Sequence, residues 1–457
     1  ARALARRRFP GRGLLLRLFG AALVLPVVVA VFGVVAVHGR SGWVNALASA
    51  LGFTPGDYLY GLGGILLGHL VFDLPLATRV FVQALDSVPA ESWRLARQLG
   101  MGPGAVFRLI DWPQIRRVLP GVASLIFLLS FLSFAVVLAL GGGPRWTTVE
   151  VAIYQALRFD FDLARAVALA MVQIALLAAL GLLLGRLALR APVEGGSTGP
   201  VERPDREGLT GRIGDASALA LALLIVLPPL AAVAVGGLTA PLGRVAAMPE
   251  LWGATLRSLA IALASAALSL ILAIGLLTAE RALLPARPRL AGLVAGLGSA
   301  TLLVSPLVLA TGLFLLMRPL GPLGAFAAPL TALVNAAMAL PYVVRTLGPP
   351  LRQGRDRYDR LCAELGIRGL DRLRLVEWPL LRPAVGLGLA IAAALSLGDL
   401  GAMALFGTGE ATTLPLLLYR LLGGYRIAEA GAVALWLLLL TFAVFTLFEK
   451  GLGHGRR

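Results

Sequence analysis

A few polar side chains that could do chemistry stand inside apolar stretches of this 457-residue sequence: Asp73, with His69 one helical turn before it, Asn335, and Asp399. An ionisable group in hydrocarbon is costly, so a carboxylate kept there marks by default a pathway for a cation or for hydrogen-bond donors. Each also has a plainer reading. Asp399 would cap or pin neighbouring helices, and His69 and Asp73 would be a packing pair beside a kink at Pro75. Other chemistries are excluded. Lys450 is the only lysine and is followed by Gly451, so no G-x-x-x-x-G-K-[ST] loop can hold nucleotide phosphates. The same count removes Schiff-base chemistry, and no nucleophile constellation is present. Cys362 is the single cysteine, and His38, His69 and His454 lie far apart, so neither a disulfide nor a metal cluster is expected. The chain is thus expected to have no catalytic residue, no metal and no cofactor of its own.

The elements that must position these residues follow from composition. Hydrophobic residues make up 58% of the chain and charged ones only 14%, against about 25% charged in an ordinary soluble protein. That is the balance of a polytopic membrane protein. The net charge of +17 is nearly all arginine. It sits between apolar runs rather than on a basic face with interleaved aromatics, which argues against nucleic acid as a partner. Apolar stretches long enough to cross about 30 Å of hydrocarbon are read at 13–37, 59–83, 119–140, 163–186, 215–236, 256–279, 291–316, 325–345, 384–406 and 430–448. Arginine is concentrated in every second connection, which places those connections and both ends of the chain in the cytoplasm. Residues 191–214, rich in Gly, Pro and charge, read as a flexible cytoplasmic linker between halves at 1–190 and 215–457.

The halves repeat one another. At an offset of 266 residues, Leu74-Pro75 matches Leu340-Pro341, Arg79 matches Arg345, Leu99-Gly100 matches Leu365-Gly366, and Trp112-Pro113 matches Trp378-Pro379. The matched spans run in the same direction, so the repeat is parallel. The fold class expected is therefore all-α and polytopic, with two parallel-repeat halves and ten spans in this chain. Arg2-Ala3-Leu4 aligns with Arg281-Ala282-Leu283, after the second span of the second half. On that alignment the intact protein is expected to have twelve spans, the first half here lacking its first two.

Each half carries one long cytoplasmic loop of matched spacing. Gly100, Ile110 and Pro113 recur as Gly366, Val376 and Pro379, each proline thirteen residues after the glycine. In each loop a short amphipathic helix is expected to end at a glycine in the left-handed conformation. A second short helix follows, limited by the proline. A helix–glycine–helix at a cytoplasmic mouth suits the docking of a partner. The alternative is a solvated basic loop, which a matched pair makes a weaker explanation.

This spacing resembles the EAA loop, E-A-A-x3-G-x9-I-x-L-P, of the type I permease subunits of ATP-binding-cassette importers. The sequence departs from that pattern at Arg94 and Arg360, where the family has its leading Glu, and at the tryptophan before each proline. Within that family the chain resembles the fused, two-loop permeases of thiamine importers. That likeness is carried by Arg6-Arg-Arg-Phe-Pro-Gly-Arg12, by Gly141-Gly-Gly-Pro144 with Thr147-Thr-Val-Glu-Val-Ala-Ile-Tyr154, and by Ser396-Leu-Gly-Asp-Leu-Gly401. The resemblance implies a non-catalytic multi-pass permease of the bacterial inner membrane, translocating thiamine and its phosphate esters by alternating access. It further implies two copies of an ATPase subunit that carry the ATP and dock at the two loops, with Arg94, Gly100, Ile110, Pro113, Arg360, Gly366, Val376 and Pro379 as coupling residues. A periplasmic thiamine-binding protein would dock outside. Thiamine is a cation with an aromatic pyrimidine, which suits Asp399, Asp73, His69 and Asn335 as pathway candidates. Iron(III) or another small solute is an alternative cargo, and an ion-coupled secondary transporter of two parallel halves or a scaffold or channel are alternative classes.

Overall fold

The protein is described by a computed structural model covering residues 1–21, 24–54, 56–188, 208–301, 304–317, 319, 326–407 and 412–453. Among these residues every regular element is helical. The chain begins with α1 (Arg2–Arg6), α2 (Arg12–Ala21), α3 (Val27–His38), α4 (Trp43–Ala50) and α5 (Leu62–Asp86). Next come α6 (Ala90–Gln98), α7 (Pro103–Val106), α8 (Trp112–Phe131), α9 (Ala135–Leu140), α10 (Val149–Arg158) and α11 (Leu163–Ala188). The expected linker falls at 191–207 outside the described residues, and α12 (Leu209–Leu238) has begun before Gly214. There follow α13 (Leu242–Ala246), α14 (Pro249–Leu283), α15 (Pro288–Ala300), α16 (Pro306–Met317) and α17 (Ala327–Glu364). The chain closes with α18 (Gly369–Arg372), α19 (Trp378–Gly398), α20 (Gly401–Phe406), α21 (Leu414–Gly423) and α22 (Ile427–Gly453).

Nine helical segments among the described residues are long and apolar enough to cross a membrane. The expected stretch 291–316 is also helical but divides into α15 and α16. Pro306 opens the second piece, and Ser305 Oγ accepts the Val308 N–H at 3.0 Å, which is how a serine caps a helix N-terminus. The stretch 13–37 divides likewise, with α3 starting just after Pro26. Two further spans break at repeat-equivalent places. The chain leaves α8 at Leu132 and re-enters a helix at Ala135, and it leaves α19 at Asp399 and re-enters at Gly401.

Two compact units contain these helices. One comprises Ala1–Leu23, Gly33–Trp146 and Ala178–Ala232, and the other Val24–Phe32, Thr147–Leu177 and Val233–Arg457. In the first, α5 packs against α1, α2, α8 and α9. In the second, α14, α17, α19 and α22 form a bundle, and α10 lies against α16 and α20.

The bundle inverts the pattern of a soluble protein. Along α14 the buried positions are mostly small, Ala254, Thr255, Ser258, Ala262, Ser265, Ala266, Ser269 and Ala273 beside the larger Leu251, Ile261 and Leu277, while Leu256, Leu263, Ile271 and Ile274 point outward. Lipid is as apolar as leucine, so nothing drives large side chains inward. Small residues face the neighbours because they let backbones approach closely. Several polar atoms on that face are paired across helices. Asn335 on α17 donates to Ser396 Oγ at 3.0 Å, and Ser396 on α19 donates to Ser265 Oγ on α14 at 3.1 Å. Trp436 Nε1 on α22 donates to Thr255 Oγ1 on α14 at 3.1 Å.

Two glycines stand where a Cβ would meet the backbone of another helix. A Cβ on Gly33 would lie 2.3 Å from the Pro229 carbonyl oxygen of α12, and one on Gly431 would lie 2.7 Å from the Gly236 carbonyl oxygen. Both obstacles are backbone, which cannot rotate away. Gly33→Leu and Gly431→Leu are each expected to destabilise the protein by at least the roughly 1–3 kcal/mol of an overpacked core. Gly253→Leu on α14, where nothing lies within 4 Å, should leave thermal unfolding in detergent nearly unchanged.

Candidate functional site

The first of the two matched loops starts at Pro89, which stands at the N-cap position of the short helix α6. Trp93 and Ala96 turn inward, while Arg94, Leu95, Arg97 and Leu99 are exposed. Gly100 ends the helix at φ 61°. Its N–H bonds to the Arg97 carbonyl at 3.1 Å, and the Met101 N–H bonds to the Ala96 carbonyl at 2.9 Å. That pair of bonds is a Schellman closure, and it requires the left-handed residue that glycine supplies without a steric penalty. Trp93, Val88 and Val106 form a small buried cluster, with Met101 and Ile110 packed against it.

The second loop repeats this closure. Gly366 has φ 66°, its N–H bonds to the Ala363 carbonyl at 3.3 Å, and the Ile367 N–H bonds to the Cys362 carbonyl at 2.9 Å. The helix that this glycine ends, however, is not the short element expected. It is the last part of the 38-residue α17, continuous with the span before it and running through Pro341, Pro349 and Pro350. One difference in the sequence is that the first loop has Pro89, whose ring lacks an N–H, where the equivalent position is Arg355.

The second expected correction concerns Pro113 and Pro379. Neither ends a helix, since both sit in the first turn of a span, α8 and α19. Before each lies one π-helical turn, Phe107–Asp111 and Leu373–Glu377, closed by the Trp112 N–H to the Phe107 carbonyl and the Trp378 N–H to the Leu373 carbonyl. A proline in a helix offers no donor and crowds the carbonyl four residues back. Widening the preceding turn to an i→i+5 bond lets the chain stay helical through it. Ile110 and Val376, the other matched positions, lie inside these π turns.

Around this shared frame each loop presents the same apolar face. Leu95, Leu99, Phe107, Leu109 and Trp112 are exposed in the first, and their equivalents Leu361, Leu365, Leu373, Leu375 and Trp378 are exposed in the second. Leu99 is 67% exposed and Leu365 63%, Leu109 65% and Leu375 68%. Arg94 and Arg360 are exposed beside these faces. Behind the faces the loops differ in chemistry. Where the first packs Trp93 with Val106, the second has Asp359 bonded to Arg372, at positions equivalent by the 266-residue offset. Arg372 also donates to Glu377 Oε1 at 2.9 Å, and these bonds hold its guanidinium above its ordinary range despite burial, which acts in the opposite direction.

The pathway candidates fall in both units. In the first, Asp73 accepts a hydrogen bond from Ser130 Oγ at 3.4 Å, at the long end of useful length, and His69 is half-buried one turn away on α5. In the second, Asp399 stands at the break between α19 and α20, and its Oδ1 accepts the Gly401 N–H at 3.2 Å. Its other oxygen, Oδ2, is buried with no hydrogen-bond partner among the described residues. The Asn335 amide lies beside this carboxylate while bonding Ser396.

Glu150 on α10 escaped the sequence reading. It is 1% exposed, its Oε2 accepts Gln173 Nε2 at 2.5 Å, and it lies beside Ser305 and Leu307 at the N-terminus of α16. The repeat carried a signal: in the register that aligns Thr147-Thr148 with Thr412-Thr413, one residue short of the 266 offset, the equivalent residue is Pro415. A charge that the other half does without has a local reason.

Comparison with known proteins now adds to this geometry. The pattern of the family described as "Binding-protein-dependent transport system inner membrane component" matches residues 1–191. The thiamine transport system permease protein ThiP of Escherichia coli (strain K12) is 46% identical over 454 residues, covering 98% of this chain and 84% of that protein. Its namesake from Salmonella typhimurium is 46% identical over 451 residues, again 98% and 84%. That of Brucella melitensis biotype 1 is 45% identical over 452 residues, covering 98% and 83%. The spans and the matched domain together define an inner-membrane transport permease, a multi-pass protein. The chain belongs to the family of the thiamine transport system permease proteins.

Two outcomes follow. Gly100→Ala and Gly366→Ala find open space for the new methyl but hold alanine at positive φ. Each is expected to weaken its helix end by about 1–2 kcal/mol, read as faster hydrogen exchange of Met101 or Ile367. Burial holds the Glu150 carboxyl up at about 7, above its ordinary 4.5, against the opposing bonds from Gln173 and Ser305. The folded chain thus favours the protonated form, so stability from this group is complete below pH 4.5 and lost as pH rises to about 7. Wild type is expected to melt at lower temperature at pH 8 than at pH 5, and Glu150→Gln to flatten that slope.

Proposed function

We propose that this chain is the permease subunit of an ATP-driven importer that carries thiamine and its phosphate esters across the inner membrane. The observation that carries the reading is the matched pair of docking loops: one glycine closure, one π turn and five exposed apolar positions, occurring twice. Exposed apolar faces rimmed by arginine mark protein interaction sites. A pair of them fits two copies of an ATPase subunit, one at each loop, with Arg94, Gly100, Ile110, Pro113, Arg360, Gly366, Val376 and Pro379 framing the contact. The lack of a nucleotide-phosphate loop in the given sequence supports ATP hydrolysis on that separate subunit, with this chain as its non-catalytic, cofactor-free partner.

The substrate follows from the names of the relatives. All three are thiamine transport permeases at 45–46% identity. A periplasmic thiamine-binding protein delivers the vitamin to the outer face. Closure of the ATPase pair on ATP acts through both docking loops and opens the pathway outward, and hydrolysis resets it. Asp399, Asp73, His69 and Asn335 line that pathway. The buried, unpartnered Oδ2 of Asp399 supports its place there, because a thiamine cation or its amino group would satisfy that oxygen. Residues 1–190 and 215–457 are the two halves, and 191–214 joins them in the cytoplasm.

Two measurements test this. The purified wild-type chain is expected to retain an ATPase subunit, and Leu99→Asp with Leu365→Asp to lose it, since a charge buried in an apolar interface costs several kcal/mol. In cells, loss of the gene is expected to abolish thiamine uptake, and Asp399→Asn to lower it about tenfold without loss of the bound ATPase, as removal of one charge contact of about 1.4 kcal/mol would. Normal thiamine uptake with failed iron(III) uptake would assign the other cargo, and uptake driven by an ion gradient without ATP would assign the other class.

A further inference from the structure

Asp111 is fully buried in the π turn before α8. A buried carboxylate needs a partner, and its partner comes from far along the chain: Arg2 Nε donates to Asp111 Oδ2 at 2.7 Å. The same guanidinium donates to the Pro103 carbonyl at 3.3 Å and lies 5.0 Å from the centre of the Phe107 ring. One side chain thus touches the start of α7 and both ends of the π turn.

The second half has the equivalent set. Glu377 occupies the last position of its π turn, and Arg281, the sequence counterpart of Arg2, donates to Glu377 Oε1 at 3.3 Å and to Asp359 Oδ1 at 3.2 Å. Arg281 is in the last turn of α14, a helix that crosses the membrane. The Arg281 pair is about a quarter exposed on each side, so as a surface ion pair it adds little stability. What it supplies is geometry: the π turn leads covalently into α19 and ionically into α14.

We propose that Arg2–Asp111 and Arg281–Glu377 are equivalent positioning pairs for transport, each linking a docking loop to a second helix besides the span that follows it. A displacement of the loop then moves two helices together. This inference rests on the reading of the loops as ATPase-docking sites.

The test uses the whole importer, permease with its ATPase and thiamine-binding protein, in proteoliposomes. Retention of the ATPase on purification and thiamine transported per ATP hydrolysed are measured for Arg2→Gln, Asp111→Asn, the double variant, Asp111→Glu and Arg281→Gln. Each neutral variant is expected to retain the ATPase yet transport about tenfold less thiamine per ATP, within the 5–150-fold range of coupling between sites. The double variant is expected to be no worse than either single one, and Asp111→Glu to restore at least half the ratio. An unchanged ratio, or losses that multiply in the double variant, would overturn the pairing. Loss of the ATPase in proportion to loss of transport would place these residues in the docking face itself, and also overturn it. A wild-type chain that retains no ATPase would overturn the docking reading and this inference together.

Discussion

Hydrocarbon offers a peptide group no water to bond, and each unsatisfied group there costs several kcal/mol. Everything else in this chain follows from that constraint. Regular structure among the described residues is helix alone, because a helix satisfies its own backbone. Where a span does break, a side chain or a following helix takes over the freed groups: Ser305 caps α16, and Asp399 receives the Gly401 N–H at the mouth of α20. Small residues then do the work that leucine does in soluble cores. Glycine and serine allow α14, α17 and α19 to approach closely enough for Ser265, Ser396 and Asn335 to bond across them.

Outside the spans the constraint relaxes, and there the chain carries charge. The two matched loops use it unequally. Both keep the glycine closure and the π turn, which are matters of backbone geometry, and an arginine bonded to the carboxylate that ends that turn. The joint behind the exposed apolar face differs, and in each loop it holds two segments together. Trp93 against Val106 does so by apolar contact, and Asp359 against Arg372 by an ion pair.

Much of this was legible in the sequence. Apolar runs located the spans, the 266-residue offset exposed the repeat, and the glycine-to-proline spacing located the loops, since each signal is carried by residues near one another in the chain. Arg2 and Asp111 were both visible, and so was the alignment of Arg2 with Arg281, but 109 residues separate the pair and no local pattern joins them. The π turns were hidden for another reason. A proline is read as a stop, and only the backbone shows that one wider turn lets the helix pass. The continuity of α17 was hinted at by Arg355 in place of Pro89, a single difference that the strength of the repeat obscured. Of the two readings the sequence allowed for Asp399, the helix cap is seen through one oxygen, while the second oxygen is buried without a hydrogen-bond partner among the described residues.

The exchange of Trp93 and Val106 for Asp359 and Arg372 also bears on how such a chain could have arisen. If the halves descend from one duplicated segment, either charge could have arisen first, because each has a second partner: Arg281 also bonds Asp359, and Glu377 also accepts from Arg372. A chimera built by copying one loop into both halves therefore has to keep an arginine in the place of Arg2 or Arg281 as well as the two exchanged positions.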